Sequence, residues 1–237
     1  MDNMQPINTL KSIWYHWYPG ILLTLFFVAG TAGLNARGIP PQLILLLGIP
    51  LIIVPVMYIH LNRAKKNENK DHISELISYR ERLPKLRLTG YTIGLIVFAF
   101  VVYGATQPIN SYLAESFLSW LPEWYRINDF SGYSGNIILI TLILNLILNG
   151  LLAPFVEEIY FRGYLLPRMY HLGKYAPWVS TLLFSIYHFW QPQIYLTLII
   201  ALLPMTYLTW KAKSIKLAIY THCGLNLFGA LLSFGTL

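Results

Sequence analysis

Residues 136–170 read NIILITLILNLILNGLLAPFVEEIYFRGYLLPRMY, and this stretch decides the fold. It begins with an apolar run close to the length of about 20 residues that a helix needs to cross the hydrocarbon core of a bilayer. Two adjacent carboxylates, Glu157 and Glu158, follow in the same apolar context, and Arg162 comes four residues after the second. Ionisable side chains at membrane depth are costly and mark functional sites. We therefore expect a membrane helix that carries a functional group of charges.

The composition of the 237-residue chain predicts a polytopic membrane protein. Hydrophobic residues make up 56% of the chain and charged residues only 11%, whereas soluble domains contain about 25% charged residues. The net charge of +7 is not a sign of nucleic-acid binding, because the basic residues cluster at the ends of apolar runs, where they face lipid headgroups. We expect no nucleic-acid partner. The single cysteine, Cys223, excludes an internal disulfide and a cysteine-based zinc cluster.

Apolar runs separated by polar segments predict an all-α bundle of about seven transmembrane helices, with a range of six to eight. The fourth run can form one kinked helix or two pieces, because Gly150 and Pro154 can each interrupt a helix. The sequence alone leaves this choice open, and it sets no oligomeric state. The seven runs cover residues 13–34, 39–61, 89–107, 136–170, 177–190, 194–210 and 215–234.

The distribution of basic residues predicts the orientation in the membrane. With seven spans and a cytoplasmic N-terminus, 15 of the 17 Lys and Arg residues, Arg162 among them, lie towards the cytoplasm, and only Arg37 and Arg126 lie outside. Many of the 15 belong to one polar segment, residues 62–88. Basic loops are retained in the cytoplasm. We therefore expect an integral protein of a bacterial cytoplasmic membrane, embedded in the bilayer with its N-terminus in the cytoplasm.

Polar residues in three separate apolar runs are predicted to meet at a similar depth. At 1.5 Å of rise per residue, Glu157, His188 and His222 lie about 16, 21 and 9 Å from the basic residues that flank their helices. His188 fits this convergence least well, because its helix is expected to end soon after it, near Pro192. Asn226 follows His222 by four residues, so the two side chains share one helix face.

The two acids of the fourth run are predicted to have different roles. Glu158 and Arg162 are spaced i and i+4 with the acid first, which is the favourable order for a pair on a helix. Glu157 is rotated by about 100° from its neighbour and can face a different helix. We interpret Glu158 and Arg162 as a supporting pair, which leaves Glu157 free for chemistry.

Three motifs carry a resemblance to a known family. The segments EEIYFR at 157–162, FSIYH at 184–188 and HCGLN at 222–226 occur in order. Together they resemble the EExxxR, FxxxH and HxxxN/B motifs of the CAAX protease and bacteriocin-processing (CPBP, or Abi) family. The resemblance implies a catalytic helical core over residues 136–237. Residues 1–135 then form variable N-terminal transmembrane helices that include the basic loop.

The resemblance implies an intramembrane endopeptidase related to the Ras-converting prenyl endopeptidase. Its substrate would be a membrane-associated protein or peptide. Glu157 would be the general base, with His188 helping to hold a water molecule, while His222 and Asn226 would stabilise the oxyanion. Physical chemistry is consistent with these roles, because preorganised donors act strongly in a site that excludes bulk water.

Metal dependence and two other classes of function stay open at this point. Glu157, His188 and His222 form a set of two histidines and one carboxylate that could bind zinc. The HExxH signature of zinc peptidases is absent, and the prenyl-endopeptidase relatives are thought to use glutamate alone, so we expect no required cofactor. The alternatives are a non-catalytic membrane scaffold or immunity protein and a proton-coupled transporter, since buried acids and histidines also form proton relays.

Overall fold

The computed structural model describes residues 4–236 as a bundle of seven helices. No strand occurs among these residues, and the only bridge between extended segments pairs Arg80 with Ser214. The predicted all-α fold is confirmed. The helices are α1 (Thr9–Arg37), α2 (Pro41–Asn67), α3 (Lys85–Phe117), α4 (Gly135–Arg168), α5 (Ala176–Tyr187), α6 (Pro192–Ala212) and α7 (Ile215–Ser233).

Six of the seven helices are long and apolar enough to span a membrane, so the chain is an integral membrane protein. The exception is α5, which has 12 residues and therefore extends only about 18 Å. That length is well short of the roughly 30 Å of a hydrocarbon core. The six candidate spans lie within the predicted range of six to eight transmembrane helices, and the seventh helix, α5, is too short to span the membrane.

The α4 helix resolves the choice between one helix and two, because it runs without a break over 34 residues. Two π-helical stretches, Asn145–Leu152 and Ile159–Leu165, lie on either side of the acid pair. A π-helical insertion changes the direction of the side chains that follow it and is frequent at functional sites. The acid pair thus sits on the short α-helical piece Ala153–Glu158 between two irregular turns.

The helices form a closed ring rather than a simple sequential bundle. Going round the ring, α1 packs on α2, α2 on α4, α4 on α7 and α7 on α3, while α3 packs on α6, α6 on α5, and α5 returns to α1. The ring encloses a cavity of about 450 Å³, and each of the seven helices or the residues directly after it contributes to the lining.

One end of the ring, which we call the basic end, is held together by contacts between several loops. Arg168 at the end of α4 binds both carboxylate oxygens of Glu68 at 2.9 Å. The backbone N–H of Ile7 donates to the carbonyl oxygen of Arg168 at 3.1 Å, and that of Glu81 donates to Lys213 at 2.9 Å. The start of α1, the α2–α3 loop, the end of α4 and the α6–α7 turn therefore lie at this end. The α1–α2 turn, the α3–α4 segment and the loop after α5 lie at the opposite end.

The basic loop predicted at residues 62–88 is shorter in the structure. Helix α2 continues to Asn67 and α3 begins at Lys85, because both helices extend past their apolar runs into basic sequence. Lys and Arg are good helix formers, so the charged residues at the ends of these runs continue the helices towards the headgroup region.

A glycine on α1 permits the closest approach between α1 and α5. A Cβ atom at Gly20 would lie 2.1 Å from the carbonyl oxygen of Tyr187 and 2.7 Å from its ring. Only a residue without a side chain fits at such a distance, and small residues allow close packing of membrane helices. This contact positions the end of α5, where His188 follows.

Candidate active site

Glu158 lies at the centre of a fully buried cluster of charges. One carboxylate oxygen, Oε1, accepts a hydrogen bond from Nη1 of Arg162 at 2.9 Å and another from Nδ1 of His222 at 2.8 Å. The side chains of Glu158 and Arg162 are 0% exposed. The i, i+4 pair predicted from the sequence is therefore present, and it extends to a residue on α7 that the sequence did not connect to it.

Arg162 is held on three sides. Besides its bond to Glu158, its Nη2 atom donates to Oγ1 of Thr206 on α6 at 3.4 Å. Its guanidinium carbon lies 3.9 Å from the centroid of the Phe184 ring on α5. Arginine suits such a site, because its planar cation stacks on aromatic faces and donates in several directions. Arg162 thus connects α4 with α5 and α6 directly beneath the cavity.

Glu157 points away from this charge cluster and into the cavity. It is 6% exposed, and its Oε1 atom accepts a hydrogen bond from the hydroxyl of Tyr187 at 3.0 Å. Among the cavity-lining residues that the structure describes, it is the only Asp, Glu, Lys or Arg. The two acids are therefore separated as expected: Glu158 is neutralised within the wall, and Glu157 faces the cavity.

His188 reaches the cavity because α5 is short. It directly follows the last residue of α5, and its Nδ1 atom lies 2.9 Å from the carbonyl oxygen of Phe184. A ring that donates from Nδ1 to a carbonyl leaves Nε2 available to a ligand. The Phe184 ring lies between the two histidines, with centroids 4.9 Å from His188 and 5.9 Å from His222. The early end of α5 thus brings His188 to the depth of the other polar residues.

His222 and Asn226 line the same cavity from one face of α7. With its Nδ1 atom bound to Glu158, His222 presents Nε2 to a ligand. The side-chain nitrogen of Asn226 donates to the backbone carbonyl of Asn149 in the first π-helical stretch of α4, at 2.9 Å. An amide nitrogen carries a second hydrogen, so Asn226 can also donate into the cavity. All four cavity-facing residues expected from the sequence therefore converge, with Glu158 and Arg162 behind them.

Tyr187 is a contact residue that the sequence analysis missed. It donates to Glu157 and packs against His188 with ring centroids 5.0 Å apart. The sequence signal was weak, because Tyr187 is one of 17 tyrosines in an aromatic-rich chain. Its position beside a motif histidine was the one available indication.

Carboxamide side chains were also missed as a feature of the cavity. They surround the space between Glu157 and the opposite end, and two of their oxygens, Oε1 of Gln42 and Oδ1 of Asn145, are buried without a hydrogen-bond partner. A buried unpaired acceptor is costly, and a bound donor would relieve that cost. The carboxamides in the lining are Gln42, Gln107, Asn110, Asn128, Asn145, Asn149, Gln191 and Asn226.

The cavity extends from Glu157 towards the opposite end of the ring. Its lining includes Ile127 and Asn128 of the α3–α4 segment and Gln191 after α5. None of the described lining residues comes from a loop at the basic end. The cavity therefore leads from Glu157 to the end that carries few basic residues.

The α3–α4 segment folds over this end of the cavity. Trp124 and Tyr125 both pack edge-on against Phe27 of α1, with ring centroids 5.8 and 5.7 Å away. The turn beyond them is held by Asp129, whose pKa is lowered by hydrogen bonds from Ser131. The Asp129 carboxylate is therefore ionised at neutral pH, and it lies beside the cavity mouth.

The donor set does not have the geometry of a zinc site in this structure. Within residues 4–236, no group of three or more His, Cys, Asp or Glu side chains is arranged so that it could hold a metal ion. In the set considered from the sequence, the Glu157 carboxylate accepts a hydrogen bond from Tyr187.

Comparison with protein families identifies the part of the chain that contains this site. Residues 139–228 match the family model described as Type II CAAX prenyl endopeptidase Rce1-like. This range includes all three motifs. Comparisons with curated proteins and with solved structures give no match. The resemblance inferred from the motifs is therefore confirmed: residues 139–228 are similar to the Rce1-like family of CAAX proteases.

Proposed function

We propose that the protein is an intramembrane endopeptidase in which Glu157 activates a water molecule to attack a peptide carbonyl. The observation that carries the proposal is the separation of the two acids. Glu158 is neutralised by Arg162 and bound to His222, whereas Glu157 faces a cavity that opens to water. A general base needs both an available lone pair and hydrogen-bond access to the reacting water, and Glu157 has both.

The proposed reaction assigns a role to each cavity-facing residue. Glu157 takes a proton from water held with the help of His188, and the water oxygen bonds to the carbonyl carbon. Asn226 and His222, the latter with a proton on each ring nitrogen, donate to the resulting oxyanion, and such donors commonly contribute a large share of the rate. The proton held by Glu157 then passes to the leaving nitrogen as the C–N bond breaks. The products are a new carboxyl terminus and a new amine.

The residues behind the cavity act by positioning. Glu158 fixes the orientation of His222 through Nδ1, and Arg162 neutralises Glu158 while packing on Phe184. Tyr187 holds the Glu157 carboxylate. The role of such supporting contacts is to keep reacting groups within a few tenths of an ångström of the productive geometry.

The lining of the cavity supports an uncharged peptide segment as substrate. Apart from Glu157, the described lining consists of apolar, aromatic, histidine, serine and carboxamide side chains. The unpaired oxygens of Gln42 and Asn145 can accept backbone N–H groups of an extended peptide. A charged side chain beside the scissile bond would find no partner there and would be disfavoured. We therefore propose a membrane-associated protein or peptide with uncharged residues around the cleavage site.

The direction of the cavity supports substrate entry from the side opposite the basic end. Basic loops are retained in the cytoplasm, which supports a cytoplasmic N-terminus and basic end in a bacterial membrane. The cavity mouth near Asn128 and Gln191 then faces the exterior. Substrates would be presented from the outer side of the membrane or from its outer leaflet.

Cysteine labelling tests this orientation. In a Cys223→Ser background, Asn128→Cys is expected to react with a membrane-impermeant maleimide on intact cells, because Asn128 is exposed at the cavity mouth. Lys66→Cys, also exposed but at the basic end, should react only after the membrane is permeabilised. The reverse pattern would place the mouth in the cytoplasm and contradict the proposed entry side.

Peptidomics tests the proposed activity itself. Membranes from cells that produce the native protein are compared with membranes from cells that produce Glu157→Gln. A peptide product should accumulate only with the native protein. The variant Glu115→Gln, which makes the same change at an exposed residue, should behave like the native protein. Identical peptide profiles for native protein and Glu157→Gln would favour a scaffold or transporter over a peptidase.

Metal removal gives a separate prediction about mechanism. We expect cleavage by the purified protein to be unchanged after incubation with a strong chelator, because the proposed steps use only side chains and water. The measurement is the rate of product formation with and without chelator, together with metal analysis of the sample. Loss of activity that only zinc restores would contradict the glutamate-only mechanism.

A further inference from the structure

A second cavity, of about 520 Å³, lies at the basic end between α1 and α2. It shares no lining residue with the cavity that contains Glu157. Its floor includes Tyr164 and Arg168 of α4. The proposed peptidase chemistry assigns no role to this cleft.

The two helix faces that border the cleft both change from polar to apolar side chains with increasing distance from the basic end. Because α1 and α2 run in opposite directions, residues of similar character meet at each depth. Charged and amide side chains lie nearest the basic end, aromatic rings and His60 come next, and aliphatic side chains lie deepest. The α1 face presents Lys11, Tyr15, Tyr18 and Leu22, and the α2 face presents Asn67, Arg63, His60 and Val56.

The middle level of the cleft is well ordered by contacts between the helices. The rings of Tyr15 and His60 meet edge to face with centroids 4.4 Å apart. The hydroxyl of Tyr18 lies 3.0 Å from Nδ1 of His60. The hydroxyl of Tyr160, on α4, donates to the backbone carbonyl of Tyr15 at 3.0 Å. The cleft therefore contacts α4, the helix that carries Glu157.

The charged level of the cleft has an excess of positive charge. The Arg168 guanidinium is paired with Glu68 through two hydrogen bonds of 2.9 Å. Lys11 and Arg63 form no ion pair with any residue of the described range 4–236. Among the residues that the structure describes, these two cations line the cleft without an ion-paired carboxylate, which favours an anionic ligand.

We propose that this cleft binds an anionic phospholipid of the leaflet at the basic end. The phosphate would lie between Lys11 and Arg63, the ester region beside the tyrosines, and an acyl chain along Leu22 and Ile59. The side chains of Leu22 and Ile59 are 41% and 48% exposed, so the deep end of the cleft is open to the membrane. A small soluble anion would use the cations but leave this apolar wall without a partner, which is why a lipid fits better.

Lipid retention by purified protein tests the proposal and does not depend on peptidase activity. After delipidation in detergent, the native protein should bind phosphatidylglycerol in native mass spectrometry and show a higher Tm in its presence. Phosphatidylcholine and inorganic phosphate should have much smaller effects. The Lys11→Ala/Arg63→Ala variant should lose about thirtyfold in phosphatidylglycerol binding, since each basic residue near an anionic lipid contributes a modest attraction.

A matched control removes the same charges from outside the cleft. Arg82→Ala/Lys85→Ala, at two exposed positions of the basic end, should retain native lipid binding. Leu22→Trp, which blocks the acyl wall and keeps both cations, should also weaken binding. Equal losses in both double variants would show nonspecific attraction and overturn the proposal. An equal response to inorganic phosphate, or unchanged binding in Leu22→Trp, would overturn the assignment to a lipid.

Discussion

Replacing Glu157 with Gln is expected to abolish peptide cleavage while leaving the protein folded. The amide has nearly the shape of the carboxylate, and its oxygen can still accept the hydrogen bond from Tyr187. It cannot take a proton from water, so the loss should reach the factor of about 10²–10⁴ that general base catalysis contributes, or exceed it. The measurement is the initial rate of product formation by purified protein in liposomes. The substrate is a peptide identified by the peptidomic comparison of membranes that contain the native protein or Glu157→Gln.

The control for this experiment separates chemistry from folding. The Tm of Glu157→Gln should equal that of the native protein, because no buried ion pair is broken. His188→Ala and His222→Ala should also lose cleavage, whereas Glu115→Gln should keep it. Cleavage at the native rate in Glu157→Gln would refute the role of Glu157 as base.

Replacing Arg162 with Ala is expected to reduce the amount of folded protein severely. The change leaves Glu158 buried without the guanidinium that pairs with it, and it removes the contacts with Thr206 and Phe184. Breaking a buried ion pair by removing one partner costs about 3–5 kcal/mol. The measurements are the yield of monodisperse protein and the Tm in detergent.

Two further variants distinguish stability from positioning at this cluster. Arg162→Lys keeps a cation for Glu158 but loses the planar group that stacks on Phe184, so its Tm should lie between those of the native protein and the alanine variant. Glu158→Leu/Arg162→Leu should recover part of the Tm, because neither charge remains unpaired. Its cleavage should stay low, since His222 loses the partner of Nδ1. An alanine variant as stable as the native protein would contradict the supporting role of Arg162.

The sequence was sufficient to predict features that depend on local pattern. Apolar run length predicted the spans, and basic residues marked one end of the bundle, because both follow from the thickness and charge of a bilayer. The i, i+4 spacing predicted the bond between Glu158 and Arg162. The different direction of Glu157 followed from helix geometry alone.

Features that depend on packing between distant segments could not be predicted. The bond between His222 and Glu158 joins residues 64 positions apart, and no local pattern specifies it. The depth of His188 depends on the early end of α5, which the hydropathy of 177–190 does not reveal. The direction of the cavity depends on the order of helices around the ring. The close contact of Gly20 could not be predicted either, because its partner, Tyr187, is on another helix.

The order of helices in the ring has a consequence for any attempt to divide the protein. Around the cavity wall, the first three helices of the chain alternate with the last four: α3 packs on both α7 and α6, and α1 and α2 lie between α5 and α4, which contact each other directly beside the cavity. A chain cut near residue 135 would yield two fragments, each with gaps in its wall that only the other can fill. We therefore expect that the segment that carries the family motifs does not fold on its own. Foreign helices joined to it would have to fill the positions of α1, α2 and α3 in the cavity wall.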